Sequence, residues 1–385
     1  MKKWFMCVLT VVLLSGCIPS FEKDNQIVQE SDENKETSII PNYQISDSLY
    51  RTIIPFKPSK TRGMVVSNLY SSYDIREFET GLMRVAKEDF STDKYLFQEG
   101  QILDQETVRS WLNRKYTKAQ MKELKLEEEE NVGLNPVNDE KGSVEEQNQK
   151  SPIYLAHILE HDYIVSNDNK GKLGGIVIGL ALNSVHYYQK EKYGATFEQP
   201  ILHDKLAEEG KKMGAEILKR LRSMEGVGDI PITIALFEQS SRNAVIPGTF
   251  FAYAHADKGS SSLGDWKSID EKFYLFPSSN AEEDKRDDVA RFMRFKDDIE
   301  KYFPNFNGVI GRAFYKDEQF VNLKIEIPIQ LYGEAEVIGF TQLATSLVMD
   351  HFSKFTVEVN ITSINGAEAL IVKKAGDEEP YVHIY

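Results

Sequence analysis

The stretch Gly175-Ile-Val-Ile-Gly-Leu-Ala-Leu is apolar throughout, which is typical of a buried β-strand. An earlier apolar stretch, residues 153–165, is separated from it by the turn-forming sequence Asn167-Asp-Asn-Lys-Gly. Two apolar stretches joined by a short polar turn predict a β-hairpin. This hairpin is the centre of the predicted fold, and the other elements are placed outward from it.

Helices are predicted on both sides of the hairpin. Upstream, residues 73–90 place Phe78 and Leu82 on one apolar face, and residues 63–67 are interpreted as a first strand. Downstream, residues 204–224 have the helical spacing of apolar side chains over about six turns. Two further strands are predicted after that helix, at residues 231–237 and 248–254.

The order of elements returns in the second half of the chain. Residues 306–314 resemble residues 174–181, and each half runs helix, strand pair, long helix, strand pair. Strands joined by short turns beside segregated helices favour α+β over a doubly wound parallel sheet. The predicted fold is α+β with two tandem repeats, each a mainly antiparallel sheet with packed helices. The second set of elements is predicted at residues 289–303, 306–314, 320–331, 333–352, 355–361, 368–372 and 381–385.

Composition divides the rest of the chain. Residues 17–47 are too polar to bury a core, which predicts a disordered acidic tether. Residues 48–257 form the first predicted repeat, with an acidic solvated loop at 127–150. Residues 258–385 form the second repeat. Hydrophobic residues make up 41% of the chain, an ordinary value for a globular protein.

The first sixteen residues have the pattern of an export signal. Lys2 and Lys3 supply a positive start, and residues 4–14 carry no charge. At about 1.5 Å per residue this apolar stretch is too short to cross a hydrocarbon core of about 30 Å. Residues 1–16 are therefore predicted to be a signal peptide that is removed.

A cysteine follows the signal directly. Leu14, Ser15, Gly16 and Cys17 resemble a bacterial lipobox, in which small residues allow cleavage just before a lipid-modified cysteine. The pattern predicts a cell-membrane protein, lipid-anchored on the outer face through Cys17. Its expected partners are membrane lipid and the lipoprotein-processing enzymes. The alternative is an ordinary signal peptide followed by a chance cysteine.

Charge and cysteine content exclude several classes of protein. The formal net charge is −14, and removal of Lys2 and Lys3 would lower it to −16. Nucleic-acid binding depends on clustered Lys and Arg, so no nucleic-acid partner is expected. Cys7 would leave with the signal peptide, so the mature chain can form no intramolecular disulfide and must be stabilised by packing.

Several segments of the chain are distinctive in combination. They are Arg62-Gly-Met-Val-Val-Ser-Asn, Phe78-Glu-Thr-Gly-Leu-Met-Arg, Lys94-Tyr-Leu-Phe-Gln-Glu-Gly-Gln, Ser110-Trp-Leu-Asn-Arg-Lys, Tyr187-Tyr-Gln-Lys-Glu-Lys-Tyr-Gly and Ile232-Thr-Ile-Ala-Leu-Phe. Together they resemble the CamS family of sex-pheromone-precursor lipoproteins of Gram-positive bacteria, over essentially the whole chain. The resemblance implies two tandem repeats and a position on the outer face of the cytoplasmic membrane. It implies no catalytic residues for the mature chain.

The resemblance also implies a possible second product. Some members of the family release a short hydrophobic peptide, cut from just before the lipidated cysteine, that neighbouring cells sense as a mating pheromone. The alternative is that the signal remnant is degraded without a function. The matching residues here are Thr10, Val11, Val12, Leu13, Leu14, Ser15 and Gly16.

One segment suggests chemistry in the mature chain. His157-Ile-Leu-Glu-His matches the H-x-x-E-H pattern of zinc peptidases, in which His157 and His161 would share a metal and Glu160 would polarise its water. That arrangement needs a helix, whereas this segment is predicted to be a strand. In a strand the two histidines are about 13 Å apart. The simpler interpretation is a pair of half-exposed strand histidines.

The remaining residues give no catalytic or cofactor motif. Aromatic clusters at residues 250–253 and 273–276 could line a groove, although core packing is the commoner use. We therefore expect no cofactor, no metal and no enzymatic activity. The expected role is that of a surface lipoprotein whose repeats bind an unidentified ligand or partner. A surface metal-dependent hydrolase is the alternative.

Overall fold

The computed structural model describes residues 26–31, 34–41, 43–167, 170–302, 308–331 and 333–385. Cys17, the lipobox and the peptide stretch 10–16 lie outside these described residues. Over the described residues the helices are α1 (Met64–Asn68), α2 (Ser72–Ala86), α3 (Gln105–Leu112), α4 (Lys118–Leu124), α5 (Val144–Lys150), α6 (His203–Arg222), α7 (Ser279–Asp284), α8 (Arg286–Tyr302) and α9 (Glu334–Phe352).

The strands build two large sheets and one small hairpin. They are β1 (Gln26–Ser31), β2 (Asn34–Ile39), β3 (Tyr95–Glu99), β4 (Leu155–Asn167), β5 (Lys170–Asn183), β6 (Val185–Gln189), β7 (Thr196–Pro200), β8 (Ile232–Gln239), β9 (Thr249–Ala256), β10 (Lys267–Ser268), β11 (Glu271–Phe276), β12 (Ile310–Lys316), β13 (Gln319–Pro328), β14 (Val357–Ser363), β15 (Gly366–Lys373) and β16 (Tyr381–Ile384).

Six strands of each large sheet follow one plan. The first sheet contains the order β3-β4-β5-β8-β9-β10, and the second has the order β11-β12-β13-β14-β15-β16. In each, the third and fourth strands are parallel and every other neighbouring pair is antiparallel. A long helix, α6 or α9, makes the crossover between the parallel strands. The α+β fold with two tandem repeats is confirmed.

The predicted alignment between the repeats was wrong in one place. Residues 306–314 were matched to residues 174–181, which lie in β5. The strand plan instead makes β12 the counterpart of β4 and β13 the counterpart of β5. Buried strands share apolar composition, so a short likeness between two of them does not fix their order in a sheet.

The first unit, residues 43–268, has three layers. The two faces of β5 differ, since Ile176 and Ile178 face α6 whereas Gly175 and Gly179 lie under aromatic side chains of the opposite layer. A Cβ at Gly175 would lie 2.1 Å from the Phe90 ring, and one at Gly179 would lie 3.0 Å from the Phe78 ring. These glycines therefore let α2 and the turn after it approach the sheet closely.

The second unit, residues 271–385, has two layers. α8 and α9 pack on the sheet through a single apolar cluster that includes Phe292, Phe295 and Phe340. Along β14, buried residues alternate with half-buried ones, as expected for a sheet with one covered face. The chain passes from one sheet to the other through Ile269 and Asp270.

Three local features differ from the sequence predictions. Residues 63–67 were interpreted as a strand, but α1 forms there after Gly63, whose φ of 91° starts the turn. The segment 127–150 was predicted to be a loop, but it contains α5. This helix begins with a capping box formed by Ser143 and Glu146. Residues 17–47 were predicted to be a disordered tether, but they include β1 and β2. β1 pairs with the first residues of β5, ahead of the part of β5 that pairs with β8.

Candidate functional site

The H-x-x-E-H segment lies in β4, as the strand interpretation predicted. His157 and His161 share one face of the strand, and their rings contact Phe78 and Phe97. They are 1% and 3% exposed, so the prediction that they are half-exposed was wrong. A covering layer made by α1, α2 and the chain before them buries both.

Glu160 points to the opposite face and is committed to a structural role. Its carboxylate accepts hydrogen bonds from three successive backbone N–H groups, Gln101 at 3.1 Å, Ile102 at 2.8 Å and Leu103 at 2.7 Å. The loop before α3 is thereby fixed to the sheet. A carboxylate held in this way does not face the two histidines, which argues against the zinc-peptidase arrangement.

A second buried carboxyl group lies beside Glu160. Asp162 accepts a hydrogen bond from the Gln101 N–H at 3.0 Å and is 2% exposed. Burial, together with the neighbouring Glu160, holds the pKa of Asp162 well above its usual range. The protonated form of Asp162 is thereby favoured in the fold over the charged form.

The face of β4 that carries the histidines forms the floor of a cavity of about 170 Å³. That volume is enough for several water molecules or a small organic group. The floor continues onto β3, which pairs with β4, and the walls come from the segment before α1, from α1 and from α2. The lining residues are Ser59, Thr61, Arg62, Gly63, Val65, Glu79, Met83, Phe97, Glu99, His157, Leu159, Glu160 and His161.

Both floor histidines are neutral. Burial lowers the pKa of His157 to about 4 and that of His161 to about 3. The side-chain amide of Asn68 lies 3.1 Å from Nδ1 of His157, so this nitrogen is the acceptor and Nε2 carries the proton. Nδ1 of His161 is buried and has no hydrogen-bond partner among the described residues.

The mouth of the cavity carries the charged groups. Glu99 accepts hydrogen bonds from the backbone N–H of Ser59 and from Arg62, the latter at 3.3 Å. Glu79 is exposed on α2 and makes no ion pair within the described part of the chain. Burial of part of its surface, and then the nearby Glu99, raise the pKa of Glu79.

Sequence reasoning did not assign Arg62, Glu79 or Glu99 to a site. A signal was nevertheless present, because three of the segments that carry the family resemblance supply these residues. Residues 62–68, 78–84 and 94–101 lie far apart in sequence and meet around this one cavity. No spacing rule predicts that meeting, since it depends on how α1 and α2 fold over β3 and β4.

A second feature joins the two units. Arg84 of α2 binds both carboxylate oxygens of Glu271, at 2.8 and 2.7 Å, and also binds Glu77 on its own helix. The Glu271 side chain is 1% exposed, so the pair is shielded from water. We call Arg84, Glu77 and Glu271 the inter-unit clamp.

The cleft between the units is open on another side. A groove of about 330 Å³ lies there, lined mainly by apolar side chains from both units. The Arg312 guanidinium lies 4.5 Å from the Tyr73 ring centroid, which joins β12 to α2 across the groove. The predicted aromatic clusters are largely core, since Phe250 and Phe276 are fully buried.

The described ranges contain no group of three or more His, Cys, Asp or Glu side chains arranged to hold a metal ion. Among the helices of those same ranges, none combines the length and the apolar character needed to span a bilayer. The site is thus a small polar cavity over two neutral histidines, on the first of two repeated α+β units.

Fold and sequence together define a class of protein. The family described as CamS sex pheromone cAM373 precursor matches residues 56–379. Because that match covers most of the chain, this protein belongs to the CamS family of pheromone precursors, which is a family of secreted or surface proteins and is not known as enzymatic.

Two solved structures are similar to the chain over most of its length. The C-terminal domain of the sex pheromone staph-cAM373 precursor from Staphylococcus aureus is 39% identical, with a TM-score of 0.72, and the match covers 83% of this chain and 98% of that one. The sex pheromone precursor from Lactobacillus salivarius subsp. salivarius UCC118 is 32% identical, with a TM-score of 0.80 and coverage of 90% and 99%. No curated protein matches the chain significantly.

Proposed function

We propose that this protein is a lipoprotein, exported and anchored by a lipid on Cys17 to the outer face of the cell membrane. The observation that supports this most directly is the lipobox ending at Cys17, which stands upstream of a body that belongs to a pheromone-precursor family. The net negative charge of the chain keeps the body solvated and away from anionic lipid.

Two cysteine variants test the anchor. Cells given radiolabelled palmitate should label the wild-type chain and the Cys7→Ser variant, because Cys7 lies in the removed segment. The Cys17→Ser variant should carry no label and should appear in the medium or remain uncleaved. Label retained on Cys17→Ser, or lost from Cys7→Ser, would contradict the proposal.

We further propose that cleavage before Cys17 yields a peptide ending in residues 10–16, and that this peptide acts as a signal between cells. Its support is the apolar sequence Thr10-Val-Val-Leu-Leu-Ser-Gly in a chain of this family. Synthetic peptide of that sequence should induce mating behaviour in responder cells, and a scrambled peptide should not. Silence of responder cells at high dose would show that the remnant is only degraded.

For the folded body we propose a binding role rather than catalysis. The supporting observation is the cavity over His157 and His161, in which a buried ring nitrogen has no partner among the described residues. The alternative of a metal-dependent hydrolase requires zinc on these histidines. Metal analysis of the purified protein should find no stoichiometric zinc, and zinc that is lost on changing His161 would overturn the binding role.

A further inference from the structure

The cavity under α1 and α2 is built from both apolar and polar surfaces. Phe97 and Leu159 belong to its floor, and Val65 and Met83 to its walls. These side chains suit a short apolar group of a few carbon atoms. An aromatic ring in the floor also favours a cation over an anion, because the ring face is electron-rich.

The polar groups of the floor are not saturated. Nδ1 of His161 has no hydrogen-bond partner among the described residues, although His161 is only 3% exposed. A buried polar atom without a hydrogen bond destabilises the fold. A ligand that donates a hydrogen bond to this nitrogen removes the penalty, so His161 favours a donor group in the cavity.

Charge at the mouth selects the sign of the ligand. Among the residues that line the cavity, Arg62 is the one lysine or arginine, and it makes its ion pair with Glu99. Glu79 is thus the carboxylate left for a ligand at the entrance. The histidines add no positive charge, since both are neutral.

We propose that this cavity binds a primary ammonium group carried on a short apolar stem. The ammonium is held by Glu79 at the mouth, by the ring face of Phe97 and by the unpaired nitrogen of His161. The stem packs against Val65 and Met83. The proposal deepens the binding role of the body given above, and it is independent of the lipid on Cys17.

The test is a titration of the purified full chain, followed by the NMR signals of the His161 ring. The probe is n-butylammonium, and n-butanol and butyrate are controls of the same shape with zero and negative charge. Saturable shifts of the His161 signals with n-butylammonium alone are expected. Equal shifts with butanol or butyrate would overturn the proposal.

Two matched variants locate the ammonium. Glu79→Gln, an exposed change that should not affect folding, is expected to weaken n-butylammonium binding at least tenfold. Glu106→Gln, an exposed change on α3 away from the cavity, should leave binding unchanged. Unaltered affinity in Glu79→Gln would refute the assignment.

A second arm separates the possible sources of the amine. Nα-acetyl-lysine N-methylamide presents the same group on a peptide, and its Nε-acetylated form is the uncharged control. Binding of the lysine compound points to a protein side chain, whereas binding of n-butylammonium alone points to a free amine. Absence of n-butylammonium binding to the wild-type protein would overturn the proposal. Release of the Cys17→Ser variant into the medium tests only the lipid anchor.

Discussion

The two units share one strand plan but differ in what they bury. The first unit has helices on both faces of its sheet and buries charged and polar side chains including Asp74, His157 and Asp162. The second unit packs α8 and α9 on one face, and its core is almost wholly apolar. Among the described residues from Glu271 onward, the buried polar side chains are Glu271, Thr341 and Lys373.

This difference shows where function is to be sought. Burying a polar group is costly unless hydrogen bonds replace those lost to water. The second unit demonstrates that the strand plan is stable without such groups. The polar groups that line the cavity are therefore not required by the strand plan, and their concentration there supports the proposed binding role, whereas Glu160 serves the fold by holding the loop before α3.

The largest effect is expected from the apolar core of the second unit. Phe295→Ala removes a fully buried ring that packs on Phe352 at 5.4 Å and should lower the free energy of unfolding by about 3–5 kcal/mol. Phe273→Ala, which removes a half-buried ring on β11 of the same unit, is the control and should cost less. Similar losses for both variants, measured by urea titration, would contradict the view that one apolar cluster holds this unit.

The inter-unit clamp should come next. Arg84→Met leaves Glu77 and Glu271 buried without their cation, at a cost of roughly 2–3 kcal/mol after allowance for partial exposure of Arg84. The Lys316→Met control removes the more exposed pair with Glu88 and should cost about 0–1 kcal/mol. Separate unfolding of the two units in Arg84→Met, seen as two calorimetric transitions, is also expected. A single unshifted transition would show that the clamp does not couple them.

A graded effect is expected at the glycines of β5. Gly175→Ala forces a Cβ against the Phe90 ring and should cost about 1–3 kcal/mol, whereas Gly179→Ala should cost less because its neighbours are farther away. Gly339→Ala on α9 meets no atom within 4 Å and should stabilise the second unit by up to about 1 kcal/mol. Thermal unfolding of the three variants measures these changes in stability. A larger loss for Gly179→Ala than for Gly175→Ala would contradict the view that close packing against β5 requires these glycines.

The smallest effect depends on pH. Because the pKa of Asp162 is raised in the fold, its protonated form stabilises the protein below the unfolded pKa of about 3.9, and this stabilisation is lost as pH rises. Asp162→Asn keeps the shape without the titration, so relative to wild type it should be more stable at pH 7 than at pH 3. If Asp162→Asn changed the free energy of unfolding equally at pH 3 and pH 7, titration of Asp162 would not contribute to stability.

Much of the fold follows from local patterns. The hairpin of β4 and β5, the helices α6 and α9 and the tandem order were all predictable, because periodic apolar spacing and turn residues are local signals. The start of α1 was not, since the β-branched residues Val65 and Val66 favour a strand and only tertiary packing overrides that preference.

The site was less predictable than the fold. The H-x-x-E-H pattern drew attention to the correct strand but to the wrong chemistry, because alternation along β4 turns Glu160 away from the histidines. The partner of Glu160 is a loop of backbone N–H groups about sixty residues away, which no spacing rule reveals. Glu79 and Arg62 joined the site only through the packing of α1 and α2 on the sheet.

The clamp also has a mechanical consequence. Only Ile269 and Asp270 connect the two sheets, and Arg84 grips Glu271 at the next residue, so the natural hinge point of the chain is locked. Bending at this joint would have to break the ion pair between Arg84 and Glu271. With the lipid anchor proposed on Cys17, one attachment would then set the orientation of both units together.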